Sequence, residues 1–262
     1  MHKNPAPGPP FSHPDSLPKG EGVTCRHFGE GRNPGSGKNI GGTGFQPVGK
    51  WTQLGISAES DAECLCRCKE VLNNGGVAIF PTDTVYGIGC RWDRPDAIRR
   101  VFRIKQRPLS QPLALLVAAE KHPADYGVQE DEVLRDILSR WWPGPLTVVA
   151  ATELPLAEGL SGPGNSIGLR APDHEWLQTI LREMNIPLVA TSANRSGQPE
   201  VLRVEDLSEE MLGEVDWIVD GGPFPEVPRP STVIGKEKGR WKIMREGAIA
   251  REILEPLFSS RR

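Results

Sequence analysis

The sequence is poor in histidine, in metal-spaced cysteine and in long apolar stretches. Five His occur in 262 residues, and only His122 and His174 stand outside the first fifty. That leaves no visible Ser/His/Asp or Cys/His set for nucleophilic catalysis and no imidazole cluster for a metal. The five Cys form no CxxC pair: Cys64, Cys66 and Cys68 alternate along a predicted helix, and Cys25 and Cys90 stand apart. They read as small buried or half-buried thiols, not as zinc ligands or a secreted disulfide scaffold. No run approaches 18 apolar residues, so no membrane-spanning helix is expected. No apolar h-region opens the chain, and the cytoplasm is the expected location. Gly35-Ser36-Gly37-Lys38-Asn39 fails as a phosphate loop. It lacks the earlier Gly, has Asn at the magnesium-binding hydroxyl position, and follows no strand.

Apolar residues are scarcest at the front. Residues 1–50 hold eight Pro and eleven Gly, with no apolar periodicity. Such a composition buries too little surface to offset chain entropy, so this segment is expected to be disordered. Residues 51–262 suit one compact domain. Charge divides in the same way: six Lys/Arg against three Asp/Glu in the first fifty, then 25 against 31. A net acidic domain argues against charge-driven nucleic-acid binding, while a local basic groove stays open.

What is present is an alternation of helical stripes and short apolar runs. Ser60 with Glu63 forms a capping-box pattern ahead of a helix stopped by Gly75-Gly76. The run Gly76 to Phe80 reads as a buried strand. Pro95 opens a helix bearing Ile98, Val101 and Phe102. Further strands are expected at Leu113 to Ala118, Leu146 to Ala150, Ile167 to Arg170 and Pro187 to Ala190. Later ones are expected at Trp217 to Val219, Thr232 to Ile234 and Trp241 to Met244. Helical stripes lie at Val133 to Trp141, Trp176 to Met184 and Ile253 to Leu257. Strands alternating with helices early and paired late favour an α/β domain with a mixed sheet.

Three polar groups sit where strands or helices end. Pro81-Thr82-Asp83-Thr84-Val85-Tyr86-Gly87-Ile88-Gly89 crowds two hydroxyls, a carboxylate, a Tyr and two glycines into a strand-to-loop junction, and reads equally as a plain turn or a binding loop. Lys105 and Arg107 end a helix, where they either complement its dipole or offer a point charge and a planar fork to phosphates. Thr191-Ser192-Ala193-Asn194 follows a buried strand at the end where open sheets bind ligands, or simply caps a turn. Ser166 and Arg170, four apart on a strand, share one face; Arg170 is either a carboxylate clamp or a surface cation.

In order, PTDTVYGIG, IKQRP with PLALLV, WWPGPLT, SIGLRAP, PLVATSANRSG, Ser231-Thr232-Val233 and MREGAI resemble the YrdC-like threonylcarbamoyl-AMP synthases. The resemblance runs from about Gly55 to about Phe258. It implies a twisted open α/β sheet with a concave basic cavity. The implied reaction condenses L-threonine, bicarbonate or CO2 and ATP, with magnesium carried by the nucleotide, into threonylcarbamoyl-AMP and pyrophosphate. The product would pass to a threonylcarbamoyl-transferase complex acting on tRNA, and RNA or tRNA is an implied partner. Lys105, Arg107, Ser192 and Asn194 match the family's catalytic set. Arg107, Gln111, Ser166, Asn194 and Arg245 are the implied ATP contacts, and Thr82, Thr84, Arg170, Ser192 and Ser231 the implied threonine contacts. Two positions depart from the pattern: Leu116 replaces a His that some members carry, and Leu202 replaces a Ser or Thr near the adenine side. A non-catalytic YrdC-like RNA- or nucleotide-binding protein is the alternative. A carbamoyl-transfer domain of hydrogenase maturation is disfavoured, since those domains sit in much longer chains.

Overall fold

The computed structural model describes residues 24–26, 61–221, 224 and 229–259. Ten short strands form one open sheet among these residues. They are β1 (Thr24–Arg26), β2 (Ala78–Phe80), β3 (Gly87–Arg91), β4 (Ala114–Leu116), β5 (Leu146–Ala151), β6 (Ser166–Arg170), β7 (Leu188–Ser192), β8 (Trp217–Asp220), β9 (Thr232–Glu237) and β10 (Arg240–Arg245). The helices are α1 (Asp61–Asn73), α2 (Pro95–Lys105), α3 (Glu132–Trp141), α4 (Glu175–Met184), α5 (Glu209–Glu214) and α6 (Arg251–Ser259). The strand order is β1-β8-β2-β3-β7-β4-β6-β5-β9-β10. Three neighbouring pairs, β2/β8, β4/β6 and β5/β9, run parallel, and the others run antiparallel. The sheet is mixed, as the element pattern predicts.

Period-two alternation decides which side chains go where. On β6, Ile167 and Leu169 are fully buried on one face, packed with the apolar stripes of α2 and α3 and with Met211 and Leu254. On the opposite face, α1 and α4 cover only part of the sheet. Cys64, Cys68 and Leu72 of α1 pack with Trp176, Leu177, Ile180 and Leu181 of α4 against Ala78, Phe80, Leu188, Ala190 and Trp217. Beyond that cluster Ala114, Val149 and Gly168 remain half-buried in mid-sheet, which marks a patch the helices leave open.

The register carries one row of mostly small residues across the sheet into this patch: Gly89, Ala190, Ala114, Gly168, Val149, Gly235. Gly89 has a steric reason to be there. A Cβ on it would lie 2.2 Å from the carbonyl oxygen of Val189.

Three expectations change. Of the fifty residues expected to be disordered, Thr24–Arg26 form β1 and pair antiparallel with β8; the rest of that segment, and Ser60 of the capping box, lie outside the described residues. Gly87–Arg91 is a strand, so the loop side of the expected strand-to-loop junction is strand from Gly87 onward. Cys64 takes part in a disulfide, whereas Cys66, Cys68 and Cys90 are free.

Candidate functional site

The turn joining β2 to β3 is built by its own threonine. The Thr82 hydroxyl donates to the Val85 carbonyl (2.7 Å) and accepts from the backbone N–H of Thr84 (3.1 Å) and of Val85 (3.3 Å). This side-chain turn buries both Thr82 and Thr84, whose hydroxyl oxygens lie 3.1 Å apart. Arg170, from the end of β6, reaches into it. Its Nη2 donates to Asp83 Oδ1 at 2.5 Å and to Thr84 Oγ1 at 2.9 Å, and its Nε donates to Gly144 O at 3.4 Å. The pair is nearly dry, with 9% and 11% of the Arg170 and Asp83 side chains exposed. The Nη1 group of Arg170 has no protein partner among the described residues, so one N–H edge of the fork stays free.

Below the turn, the Tyr86 hydroxyl donates to Asp220 Oδ1 and accepts from Gly221 N, both at 3.0 Å. Burial, then the Asp220 carboxylate, raises its pKa, so the phenol keeps its proton. The backbone oxygen of Tyr86 accepts from Ala193 N at 2.7 Å, which ties this turn to the loop after β7.

That loop closes on the end of α2. The helix stops because Gln106 takes the left-handed conformation (φ 52°, ψ 41°), after which Arg107 N donates back to Phe102 O at 2.9 Å. Lys105 is thereby turned inward and is 1% exposed. Its ammonium donates to the carbonyl oxygens of Ser192 and Asn194, and at 3.3 Å to Asn194 Oδ1. Three donors meet three acceptors, so the cation is fully committed. Asn194 Oδ1 also accepts from the Ser192 hydroxyl, and Asn194 Nδ2 donates to Gln198 O. Burial first, then the charge of Arg107, pushes the Lys105 pKa down to about 7, with Glu200 opposing. The sequence suggested a mobile point charge for phosphates; the structure shows a buried cation that shapes the Ser192–Asn194 loop.

Guanidinium groups hold the other side. Arg107 Nε donates to Gln111 O (2.7 Å) and its Nη2 to Pro112 O (3.2 Å), so the loop after α2 curls around this side chain. Gln111 enters through its backbone carbonyl, and its side chain is exposed. Ser166 is half-buried beside this loop: a Cβ on Gly162 would meet Ser166 Oγ at 2.6 Å and Pro112 Cγ at 3.6 Å. Arg245 Nη2 donates to Ser231 O (2.9 Å) and Ser231 Oγ (3.2 Å), and that hydroxyl lies 2.8 Å from Thr147 Oγ1. In register, Gly168 opposes Val149, Thr147 opposes Val233 and Val233 opposes Arg245; alternation puts Arg170 on the face of Gly168 and Thr147 on that of Val149, so both arginines lie on the open face. Desolvation, then the charge of Arg245, lowers the pKa of Arg107; desolvation, then the charge of Arg170, lowers that of Arg245. Four cations thus crowd together, with Glu200 attracting both Lys105 and Arg245. A polyanion would relieve that repulsion.

The residues expected to form the site therefore gather in three linked groups: Thr82, Thr84 and Arg170; Lys105, Ser192 and Asn194; Ser231 and Arg245. Arg107, Gln111 and Ser166 form the adjoining rim. Sequence reasoning gave no role to Asp83, Thr147, Gly144 or Glu200. Asp83 and Thr147 lie inside quoted motifs, but nothing local reveals what they bond to. Among the described residues no group of three or more His, Cys, Asp or Glu side chains is placed to hold a metal ion.

Fold and site together define an α/β protein with an arginine-rich face on an open sheet. Residues 70–247 match the model of the Sua5/YciO/YrdC family, described as "Telomere recombination", and the chain belongs to that family. It is 30% identical over 195 residues to the threonylcarbamoyl-AMP synthase of Bacillus subtilis (strain 168), covering 74% of this chain and 56% of that protein. Among solved structures it is similar to P. abyssi Sua5 complexed with L-threonine, with a TM-score of 0.69 and 27% identity over 78% of this chain and 59% of that one. The solution structure of MTH1692 from Methanobacterium thermoautotrophicum is 31% identical with a TM-score of 0.56, over 77% and 93% of the two chains. The chain thus spans little more than half the length of the first two relatives.

Proposed function

We propose that the chain is an L-threonylcarbamoyladenylate synthase, a nucleotidyltransferase that condenses L-threonine, bicarbonate or CO2, and ATP into threonylcarbamoyl-AMP and pyrophosphate. The observation that carries this reading is the set of three arginines, Arg107, Arg170 and Arg245. Each spends part of its fork on the protein and keeps Nη1 without a protein partner among the described residues. Arg170, beside the Thr82 and Thr84 hydroxyls, takes the threonine carboxylate, with Ser192 and Ser231 at the same subsite. Arg107 and Arg245 take the phosphates, with Ser166, Gln111 and Asn194 around the nucleotide. The relatives support the assignment: one is named for the reaction, and another was crystallised with L-threonine.

No protein nucleophile is required. The threonine amine adds to CO2, losing a proton, and a carbamate oxygen attacks the α-phosphorus as pyrophosphate leaves. The protein's contribution is to place the two substrates in line and to stabilise charge on the phosphates. Magnesium brought in with the nucleotide would supply charge neutralisation at the phosphates, a role it fills more readily there than in an all-protein cage. Lys105 acts at one remove, by fixing the loop that carries Ser192 and Asn194. The product would then pass, in the cytoplasm, to a transferase complex that modifies tRNA. The test is to incubate the protein with ATP, labelled bicarbonate and L-threonine. Labelled threonylcarbamoyl-AMP with matching pyrophosphate is expected. ATP binding without either product would overturn the reading in favour of a binding protein.

A further inference from the structure

Asp83 has one carboxylate oxygen engaged and one that is not. Oδ1 accepts from Arg170, whereas Oδ2 is buried with no hydrogen-bond partner. A buried carboxylate oxygen without a donor is costly and uncommon. The neighbouring donors are already in use. The Thr82 hydroxyl proton goes to Val85 O, so within the Thr82–Thr84 pair the proton is supplied by Thr84. The two N–H bonds of Arg170 Nη2 go to Asp83 Oδ1 and Thr84 Oγ1. The donor missing at Oδ2 is therefore not Thr82, Thr84 or Arg170 Nη2, and Arg170 Nη1 makes no hydrogen bond to it.

We propose that Asp83 binds the α-amino nitrogen of the amino-acid substrate through Oδ2, so that Asp83 and Arg170 together recognise an α-amino acid by both its ends. This rests on the proposed function, and assigns within it a residue for the nitrogen. Arg170 Nη1 takes the carboxylate, and Oδ2 accepts from the nitrogen attached to the same carbon. The ion pair between the two side chains holds both at a fixed spacing before substrate arrives, which reduces the ordering cost of binding. The nitrogen carries an N–H as ammonium, as free amine and as carbamate, so Oδ2 can keep its hold while the N–C bond forms.

The test uses the full chain, Asp83→Asn, and three ligands followed by calorimetry: L-threonine, 2,3-dihydroxybutanoate, which lacks the nitrogen, and L-threoninamide, which lacks the carboxylate. The unaltered protein is expected to prefer L-threonine over dihydroxybutanoate by about tenfold or more, the scale of a charged hydrogen bond. Asp83→Asn should bring that ratio close to one while the preference over L-threoninamide survives. A variant that keeps the nitrogen preference, or loses both preferences together, would show that Asp83 only orients Arg170 and would overturn the inference. Should Asp83→Asn not fold, equal binding of L-threonine and dihydroxybutanoate by the unaltered protein overturns it alone. If the unaltered protein binds no L-threonine, with or without ATP, the threonine reading itself falls and takes the inference with it.

Discussion

At Lys105 burial and hydrogen bonding oppose each other. In the unfolded chain the ammonium titrates near 10.5, and in the fold its pKa is about 7. Between those values the unfolded chain holds a proton that the folded chain has released, so this residue's contribution to stability grows as pH rises through the window. Binding should move the other way. Loss of the proton leaves three acceptors facing two donors, and the Ser192–Asn194 loop loosens. From about pH 6 to 9 we expect the Lys105-dependent part of the melting temperature to rise and ATP affinity to fall, with both trends absent in Lys105→Met. The variant should also be less stable by about 1–3 kcal/mol, because two carbonyls lose their donor. Arg170→Lys should weaken L-threonine binding by about 1.5–3 kcal/mol and leave ATP binding nearly unchanged, as titration calorimetry would show. The charged members of the site were legible because arginines, lysine and hydroxyls at strand and helix ends are conspicuous in sequence. The inward turn of Lys105 was not, since it depends on Gln106 adopting a left-handed backbone that no local residue preference demands. Nor was the Asp83–Arg170 pair, whose members stand 87 residues apart.

Among the elements, β3 was a strand that its glycines concealed. Gly87-Ile88-Gly89-Cys90 looks like a loop because glycine is depleted in strands. At Gly89 glycine is required by what lies across the sheet, the Val189 carbonyl at 2.2 Å from an added Cβ; at Gly87 a Cβ would meet Phe80 Cε2 only as a tight contact at 3.3 Å. Gly89→Ala must therefore shift β3 away from β7, at a cost of about 1–3 kcal/mol, and should lower the melting temperature. Gly197→Ala is the contrast. It has open space around it and φ +84°, so it carries only the strain of a left-handed backbone. A melting temperature left unchanged by Gly89→Ala would refute the packing account. The regular helices were readable because α2, α3 and α4 each keep a clean apolar stripe, whereas six-residue α5 is too short to show one.

At the scale of the molecule, the mixed open sheet followed from strands that alternate with helices early and pair late, while the edge strand β1 did not. Three residues in a Pro/Gly-rich segment give no periodic signal, yet they pair with β8. A chain beginning at Trp51 loses that ladder. We expect it to keep threonine-dependent pyrophosphate release and to unfold with about 1–3 kcal/mol less stability, the scale of a few backbone hydrogen bonds. Abolished release in a folded truncation would assign the segment a part in the reaction. The row of small residues running through Ala114, Gly168 and Val149 has a consequence for how such a protein diverges. A methyl added at Gly168 meets the Ala114 methyl at 3.3 Å and otherwise little. It would fill the half-buried mid-sheet patch by one carbon, with Ala114 and Thr147 as its nearest neighbours. On the proposed function, single methyl steps in mid-sheet would be a way to trade one small substrate for another, with the three arginines left in place.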